Sequence, residues 1–199
     1  MLQIKRIINS FFHSNTFLLY EDEGIKCWLV DIGDIEPVAV SLPDGAEVQG
    51  LFITHTHYDH IYGINRLLEQ FPNLIVYTSE QGKAGLYSDK LNFSRYHDDS
   101  LIYQGVDVRV LHEGDRVELW PDCFLEVMET PGHDRSCLTY KLGDAVFCGD
   151  SYLPDTGVFI KFPGSDKVQA AESEKRIQAL AADCTICPGH GEMVFRNGF

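Results

Sequence analysis

The sequence predicts an α/β protein in which two β-sheets pack face to face between outer layers of helices, a four-layer α-β-β-α sandwich. The elements follow the order strands, helix, strands, helix, strand, and each predicted helix follows a strand and can cover one sheet face. The 199 residues are 44% apolar and 12% aromatic, which excludes intrinsic disorder and is enough to bury a core. We expect a single domain over residues 1–199.

The first half of the chain reads as strands interrupted by two helices. Apolar residues at spacings of three and four predict a helix over 61–71, with Pro72 just beyond it, and a short helix is predicted over 80–87. The strand that ends at Thr54 is almost wholly apolar at its end, which is typical of burial on both faces. The strands of this half are predicted over 2–8, 15–20, 25–31, 48–54 and 74–78.

The second half predicts short strands at hairpin spacing, then a helix and a last strand. The helix is predicted over 167–182, with Val168, Ala171, Ile177, Leu180 and Ala181 on its buried side. The strands are predicted over 106–110, 117–120, 124–129, 137–142, 145–148 and 185–187.

The chain is strongly acidic. It has 16 Lys and Arg residues against 30 Asp and Glu residues, a formal net charge of −14. This charge repels phosphate backbones, so we expect no nucleic-acid partner. No stretch approaches the roughly 18 apolar residues of a membrane span, and the first residues lack the apolar stretch of a signal peptide. We expect a cytoplasmic protein that acts on a small-molecule substrate and has no membrane partner; the oligomeric state stays open.

The six cysteines are scattered along the chain, and we interpret them as reduced thiols. Cys184 and Cys187 have the spacing of a redox or zinc pair. They flank the start of an apolar strand, however, and the sequence has no second cysteine pair to complete a structural zinc site. We therefore interpret both as core residues.

A cluster of possible metal ligands stands where a buried strand ends and a helix begins. Residues 54–60 read Thr-His-Thr-His-Tyr-Asp-His. On an extended chain His55 and His57 point to the same side and can bind one ion at roughly 2.0–2.1 Å. Asp59 and His60 then turn with the chain and can face a second ion.

Three further residues have matching positions after apolar strands. His133 and His190 each follow a Pro-Gly pair, a turn that stops the strand and presents an imidazole at its carboxyl end. Asp150 also comes just after a strand, and a carboxylate can bridge two cations.

In type and order, these residues resemble the metal ligands of the metallo-β-lactamase fold superfamily. Within it, the chain looks most like glyoxalase II, the hydroxyacylglutathione hydrolases, and their short relatives. Asp31 is similar to the Asp that closes the early hairpin of that family, and Gly63 to a Gly shortly after its metal motif. Residues 162–166, Phe-Pro-Gly-Ser-Asp, resemble its Phe-Pro-Gly-Gly-Asp segment.

The resemblance implies a binuclear metal centre in a hydrolase of small thioesters, esters or lactones. A hydroxide that bridges the metals would attack the carbonyl group, and Asp59 would also accept a proton. The ions are expected to be zinc, although iron and manganese suit the same ligands. The first ion would be held by His55, His57 and His133, the second by Asp59, His60 and His190, and Asp150 would bridge them.

The resemblance leaves the substrate and two other functions open. Residues 158–161, Val-Phe-Ile-Lys, stand where glyoxalase II-like chains usually have Gly-Arg, so the use of glutathione stays open. A mononuclear iron persulfide dioxygenase and a non-catalytic metal-binding module are the alternatives.

Other residues near the ligands are weaker candidates. The polar loop 87–103 carries aromatic residues and is expected to overhang the site as a lid. His13, His97 and His112 lack metal-type surroundings and are interpreted as surface or loop residues. The candidate substrate contacts are Tyr62, Arg135, Tyr152 and Lys161.

Overall fold

The computed structural model describes residues 1–195 as two β-sheets that pack against each other. The first sheet contains, side by side, β1 (Leu2–Ile8), β2 (Asn15–Glu21), β3 (Lys26–Val30), β4 (Glu47–Phe52), β5 (Ile75–Thr78) and β6 (Val108–Val110). The second sheet contains β7 (Arg116–Trp120), β8 (Cys123–Glu129), β9 (Leu138–Leu142), β10 (Ala145–Gly149) and β11 (Thr185–Pro188), also in neighbouring order.

Helices cover the outer face of each sheet. Buried residues of the first three helices pack on the first sheet, and the last helix packs on the second sheet. The predicted four-layer sandwich is therefore confirmed. None of the helices within residues 1–195 is both long and apolar enough to cross a membrane. The helices are α1 (Ile35–Ser41), α2 (Ile64–Gln70), α3 (Glu80–Leu86) and α4 (Lys167–Leu180).

The central strands of the first sheet, β2, β3 and β4, are largely buried on both faces. Side chains alternate along a strand, so Phe17 and Leu19 of β2 point into the core between the sheets while Leu18 points toward the helices. In β4, Phe52 points into the core between the sheets and Leu51 points toward the helices. This double burial explains the nearly continuous apolar runs in the sequence.

Strand direction brings the carboxyl ends of several strands to one rim of the sandwich. β3 and β4 run parallel, as do β10 and β11. β8 has the direction of β10 because both are antiparallel to β9. Hydrogen bonds join the sheets at this rim: Leu138 N donates to Thr54 O at 2.7 Å, and the Tyr140 hydroxyl donates to Ile53 O at 2.7 Å.

Helix α1 is absent from the sequence prediction. Its seven residues include Pro37, Val38 and Val40, which are weak helix formers. Pro37 is tolerated because it lies in the first turn, where its missing N–H has no partner to lose. Ile35 and Val38 are buried against the first sheet, so tertiary packing rather than local propensity stabilises this helix.

The helix predicted over 61–71 begins later, at Ile64. Residues 58–60 form a 3₁₀ turn instead, in which His60 N donates to His57 O at 3.0 Å. This turn reverses the chain after the histidines, and it points Asp59 and His60 into the same region as His57.

Helix α4 buries the predicted side only in its second half. Ile177 and Ala181 are buried and Leu180 packs against the same cluster, as predicted. Nearer the start of the helix, Val168 and Ala171 are exposed, whereas Ala170 and Ser173 are buried. The reason is a tertiary contact, because the Ser173 hydroxyl donates to Pro131 O at 2.7 Å and turns this side toward the loop after β8. The helix thereby supports the loop that carries a predicted ligand.

We predict that Leu125→Ala lowers the free energy of unfolding by about 2–5 kcal/mol, because Leu125 is fully buried between the sheets and truncation leaves a cavity. The matched control is Leu91→Ala, which should change it by less than about 1 kcal/mol, since Leu91 is 52% exposed. Urea unfolding measures both variants. Equal losses would contradict a core between the two sheets.

Candidate metal centre

Seven side chains from separate segments of the chain converge at the rim. Their ligand atoms form three overlapping groups, and within each group the atoms lie within 4.8 Å of one another. The groups are His55 with His57 and His133, His55 with His60 and Asp150, and Asp59 with His60 and His190. These are the seven residues that the sequence analysis selects as metal ligands.

The first group is formed by imidazoles whose nitrogens face one another. His57 Nδ1 lies 3.0 Å from His133 Nε2. His55 Nε2 is buried and has no hydrogen-bond partner among the described residues. A buried polar atom without a partner is destabilising, and a cation at this point would satisfy it. The donors of this group therefore fit a metal ion.

The group of Asp59, His60 and His190 combines two imidazoles with a carboxylate. His60 Nε2 lies 3.3 Å from His190 Nε2, and Asp59 Oδ2 lies 3.2 Å from His190 Nε2. Asp150 stands between the groups, with Oδ1 3.5 Å from His60 Nε2 and Oδ2 3.7 Å from His133 Nε2. Asp150 Oδ1 also lacks a hydrogen-bond partner within residues 1–195. The carboxylate is placed to contact two cations at once.

Glycine is required beside this carboxylate. A Cβ atom at Gly189 would lie 2.1 Å from Asp150 Oδ1 and 2.9 Å from His60 Cε1. The Pro-Gly-His sequence thus stops a strand and also leaves space for the neighbouring ligands to approach His190.

Three of the histidines are oriented by an acceptor behind the ring. His133 Nδ1 donates to Phe159 O at 2.7 Å, and His190 Nδ1 donates to Phe12 O at 3.1 Å. A carbonyl oxygen can only accept, so each Nδ1 carries a hydrogen, and Nε2 is the ring nitrogen that faces the centre and can bind a metal once it is deprotonated. The Asp31 carboxylate has the same role for His60, with Nδ1 to Oδ2 at 2.9 Å.

Asp31 itself is fixed by the end of β4. Its Oδ1 accepts from Thr54 N, and its Oδ2 accepts from the Thr54 hydroxyl, both at 2.7 Å. The backbone of Asp31 has a φ of 57°, a left-handed conformation that Asp and Asn adopt more readily than most residues. The residue therefore joins β3, β4 and a candidate metal ligand.

The charges of the centre perturb one another strongly. Burial lowers the pKa of His60, but Asp59, Asp150 and Asp31 outweigh it and raise this pKa to about 9. Burial is likewise outweighed at His190, whose pKa rises to about 10 because of Asp150 and Asp59.

The pKa values of Asp150 and His55 shift in the opposite direction. Burial raises the pKa of Asp150, and His60 and His190 outweigh it, so this pKa lies well below its usual range. Burial and the surrounding imidazoles lower the pKa of His55 well below its usual value, which keeps that ring neutral. In the metal-free protein, protons on His60 and His190 compensate the carboxylates.

Asp134 is a neighbour of the centre that the sequence analysis does not select. Its Oδ2 lies 3.8 Å from His57 Nε2, and its Oδ1 accepts from the backbone N–H and the hydroxyl of Ser136. An aspartate next to a Pro-Gly-His turn gives no signal in the sequence, since its partner His57 belongs to a distant segment.

A cavity of about 550 Å³ opens over the centre. The loop predicted as a lid contributes Phe93 and His97 to its wall. His97 stacks on Tyr58 with the ring centroids 4.8 Å apart, so it contributes to the site although the sequence suggests only a surface or loop residue. The remaining wall residues are Phe12, Leu153, Thr156, Gly157, Val158, Phe159 and Phe162.

The four candidate substrate contacts lie elsewhere, and within the described chain none of them lines this cavity. The Tyr62 hydroxyl donates to Asp34 Oδ1 at 2.8 Å. Tyr152 packs on the cluster beneath α4, Arg135 lines a different cavity, and Lys161 is exposed.

The remaining histidines and the cysteine pair agree with the sequence interpretation. His13 and His112 are exposed. Cys184 and Cys187 are buried in two different core clusters, as expected for packing residues.

Comparisons with known proteins agree with this fold. The chain matches the family described as "Metallo-beta-lactamase superfamily" over residues 13–190. Among solved structures it is similar to BLEG-1 B3 metallo-beta-lactamase, with a TM-score of 0.87, 22% identity, and coverage of 96% of this chain and 93% of the other. It is also similar to TTHA1623 in a di-iron-bound form, with a TM-score of 0.81, 24% identity, and coverage of 96% and 94%.

A third similar structure is ETHE1 from Myxococcus xanthus, with a TM-score of 0.71, 23% identity, and coverage of 96% of this chain and 76% of the other. At these identities the three structures establish a common fold.

We predict that Asp31→Asn weakens metal binding by about 10–100-fold, because Asn has one acceptor oxygen in place of two, so its NH₂ group would face either Thr54 N–H or the Thr54 hydroxyl and His60 Nδ1–H. Asp122→Asn is the control, since Asp122 also has a left-handed φ, 62°, but lies on an exposed turn. Competition with a chromophoric chelator measures affinity, and circular dichroism checks the fold. Wild-type affinity in Asp31→Asn would show that this carboxylate does not orient His60.

We predict that zinc binding at pH 7.5 releases protons, because carboxylates raise the pKa values of His60 and His190 and both rings must lose a proton to bind a metal. Affinity should therefore fall as the pH is lowered, and the release from the two rings should decline as the pH rises through their raised pKa values. Calorimetry in buffers of different ionisation enthalpy counts the protons. His190→Ala should release fewer protons than the wild type, and heats that do not depend on the buffer would contradict the raised pKa values.

Proposed function

Because the chain belongs to the metallo-beta-lactamase superfamily, we propose that it is a metal-dependent hydrolase that holds two divalent metal ions and cleaves a small acyl substrate, namely a thioester, an ester or a lactone. The observation that supports this proposal most strongly is the position of Asp150 between two complete groups of ligands. A single-metal protein has no need of the second group.

Each of the two groups of ligands would hold one ion. His55, His57 and His133 would hold the first ion, Asp59, His60 and His190 the second, and Asp150 would contact both. Imidazole and carboxylate donors suit zinc, iron and manganese. We propose zinc, and metal analysis of the purified protein decides among the three. When bound, the ions supply Lewis acidity, which polarises a carbonyl group and acidifies a water molecule.

Asp59 has the properties of a proton acceptor. It is partly exposed and lines the cavity, so it can reach a water molecule there. Burial raises the pKa of Asp59, but His60 and His190 outweigh it and lower this pKa, which keeps the carboxylate ionised at neutral pH. We assign to Asp59 the transfer of the proton from water during hydrolysis.

The backbone carbonyls of Phe12 and Phe159 position two of the imidazoles in this reaction. They hold His190 and His133 in one tautomer and one orientation, so the Nε2 atoms do not have to reorganise during turnover.

We predict that Asp59→Asn and Asp150→Asn each lower kcat by about 10²–10⁴-fold on a panel of thioesters, esters and lactones, because each removes a carboxylate of the centre. Asp144→Asn is the control, since Asp144 lies in the exposed turn between β9 and β10. Metal content is measured on every variant, and we expect Asp150→Asn to lose more metal because it contacts both groups.

Unchanged turnover in both Asp59→Asn and Asp150→Asn would contradict the assignment of these residues to the reaction. Oxygen consumption with a persulfide substrate, together with one iron per chain, would indicate a mononuclear dioxygenase instead. Full metal loading without activity on any substrate of the panel would indicate a non-catalytic metal-binding module.

A further inference from the structure

The outer part of the cavity is apolar. Beyond the metal centre, most of its wall consists of aromatic and aliphatic side chains, and no Lys or Arg within residues 1–195 lines it. Among the described residues, the carboxylates of the wall are Asp59 and Asp150, which belong to the centre itself. The apolar side chains are Phe12, Tyr58, Phe93, Leu153, Val158, Phe159 and Phe162.

The apolar wall begins directly at the metal centre. The Phe162 ring centroid lies 4.7 Å from that of His57 and 5.6 Å from that of His133. Phe93 lies 5.0 Å from His57 and stacks on Phe162 at 5.4 Å. A substrate with its carbonyl at the centre would therefore place the adjoining group against these rings.

Two of the wall residues are held in a strained conformation. Phe93 has a φ of 61° and Phe12 a φ of 51°, a region that bulky side chains rarely adopt. The Asn92 side chain fixes the loop that carries Phe93, because it donates to Gly85 O and Leu101 O. Local strain of this kind concentrates at binding sites, where the surrounding structure imposes it.

The rings at the cavity mouth are also open to water. Phe12 is 64% exposed, Phe159 48% and Phe162 38%. Neighbouring exposed aromatic rings are typical of a surface that is covered by an apolar ligand.

The charges around the mouth are unfavourable for an anionic ligand. Asp98 and Asp99 are exposed and directly follow His97, which lines the cavity. Arg95 of the same loop is paired with Asp89 at 2.8 Å. Within residues 1–195, the lining therefore offers no Lys or Arg to a carboxylate at the outer end of a substrate.

We propose, on the basis of the hydrolase function above, that the substrate carries an uncharged, apolar acyl group that packs on Phe93, Phe159 and Phe162. Thioesters whose acyl group ends in a carboxylate are disfavoured because, within residues 1–195, the lining of the outer cavity offers that charge no basic partner. Binding energy comes from burial of the acyl chain, and the carbonyl is placed at the centre by the same contact.

The direct test uses a matched pair of N-acetylcysteamine thioesters, hexanoyl and adipoyl, which differ by the terminal carboxylate. We expect kcat/KM to be about 100-fold higher for the hexanoyl thioester, since the adipoyl carboxylate loses water without gaining a partner. We also expect the hexanoyl thioester to exceed the acetyl thioester by at least about tenfold. Equal values for the hexanoyl and adipoyl compounds would overturn the proposal.

A charge introduced into the wall should reverse the preference. Val158→Lys places an ammonium in the lining, so the adipoyl thioester should gain at least about tenfold relative to the hexanoyl thioester. Val168→Lys is the control, because Val168 is 77% exposed on α4 and lies outside the cavity lining. A gain of this kind cannot result from misfolding, and its absence in folded Val158→Lys would count against the assigned wall.

Binding of inert analogues separates this proposal from the proposed function. In the ketones that correspond to the two thioesters, a methylene replaces the sulfur and nothing can be hydrolysed. Tighter binding of the uncharged ketone by calorimetry, without hydrolysis of any thioester, ester or lactone of the panel, would support the apolar pocket and refute the hydrolase. Hydrolysis of both thioesters, together with equal affinity for both ketones, would support the hydrolase and refute the apolar pocket.

Discussion

The candidate metal centre depends on a carboxylate that is not itself one of the seven ligands. Asp31 accepts two hydrogen bonds from Thr54 and one from His60, so it fixes the end of β4 and the orientation of an imidazole at the same time. Its left-handed backbone turns the chain out of β3 at the point where these groups meet. The path of the whole histidine-rich segment follows from this junction.

The centre is a buried concentration of opposite charges, which folding alone stabilises poorly. Burying ionised groups is unfavourable unless each one is both paired and hydrogen-bonded. Asp150 Oδ1 has no hydrogen-bond partner among the described residues. Protons on His60 and His190 offset the carboxylates in the metal-free protein. Because divalent cations would replace those protons with stronger partners, folding and metal binding are expected to be thermodynamically coupled here.

The sequence predicts the sandwich and the convergence of its strand ends, because both follow from local patterns. His133 and His190 are recognisable since a Pro-Gly pair stops each strand immediately before them. Contacts between distant segments leave no such pattern. Helix α1 is stabilised by packing on the first sheet rather than by helix propensity. Asp134 contacts His57, which is distant in sequence. His97 lies at the cavity because its loop packs over Tyr58.

Phe12 and Phe159 each serve two purposes through different atoms. The carbonyl group of each holds an imidazole, and its ring faces the open cavity. A change of side chain can therefore alter which molecules are accepted while leaving the imidazole support intact. Conversely, a molecule that displaces either backbone would also move the carbonyl that orients an imidazole, so the cavity wall and the candidate metal centre share two peptide groups.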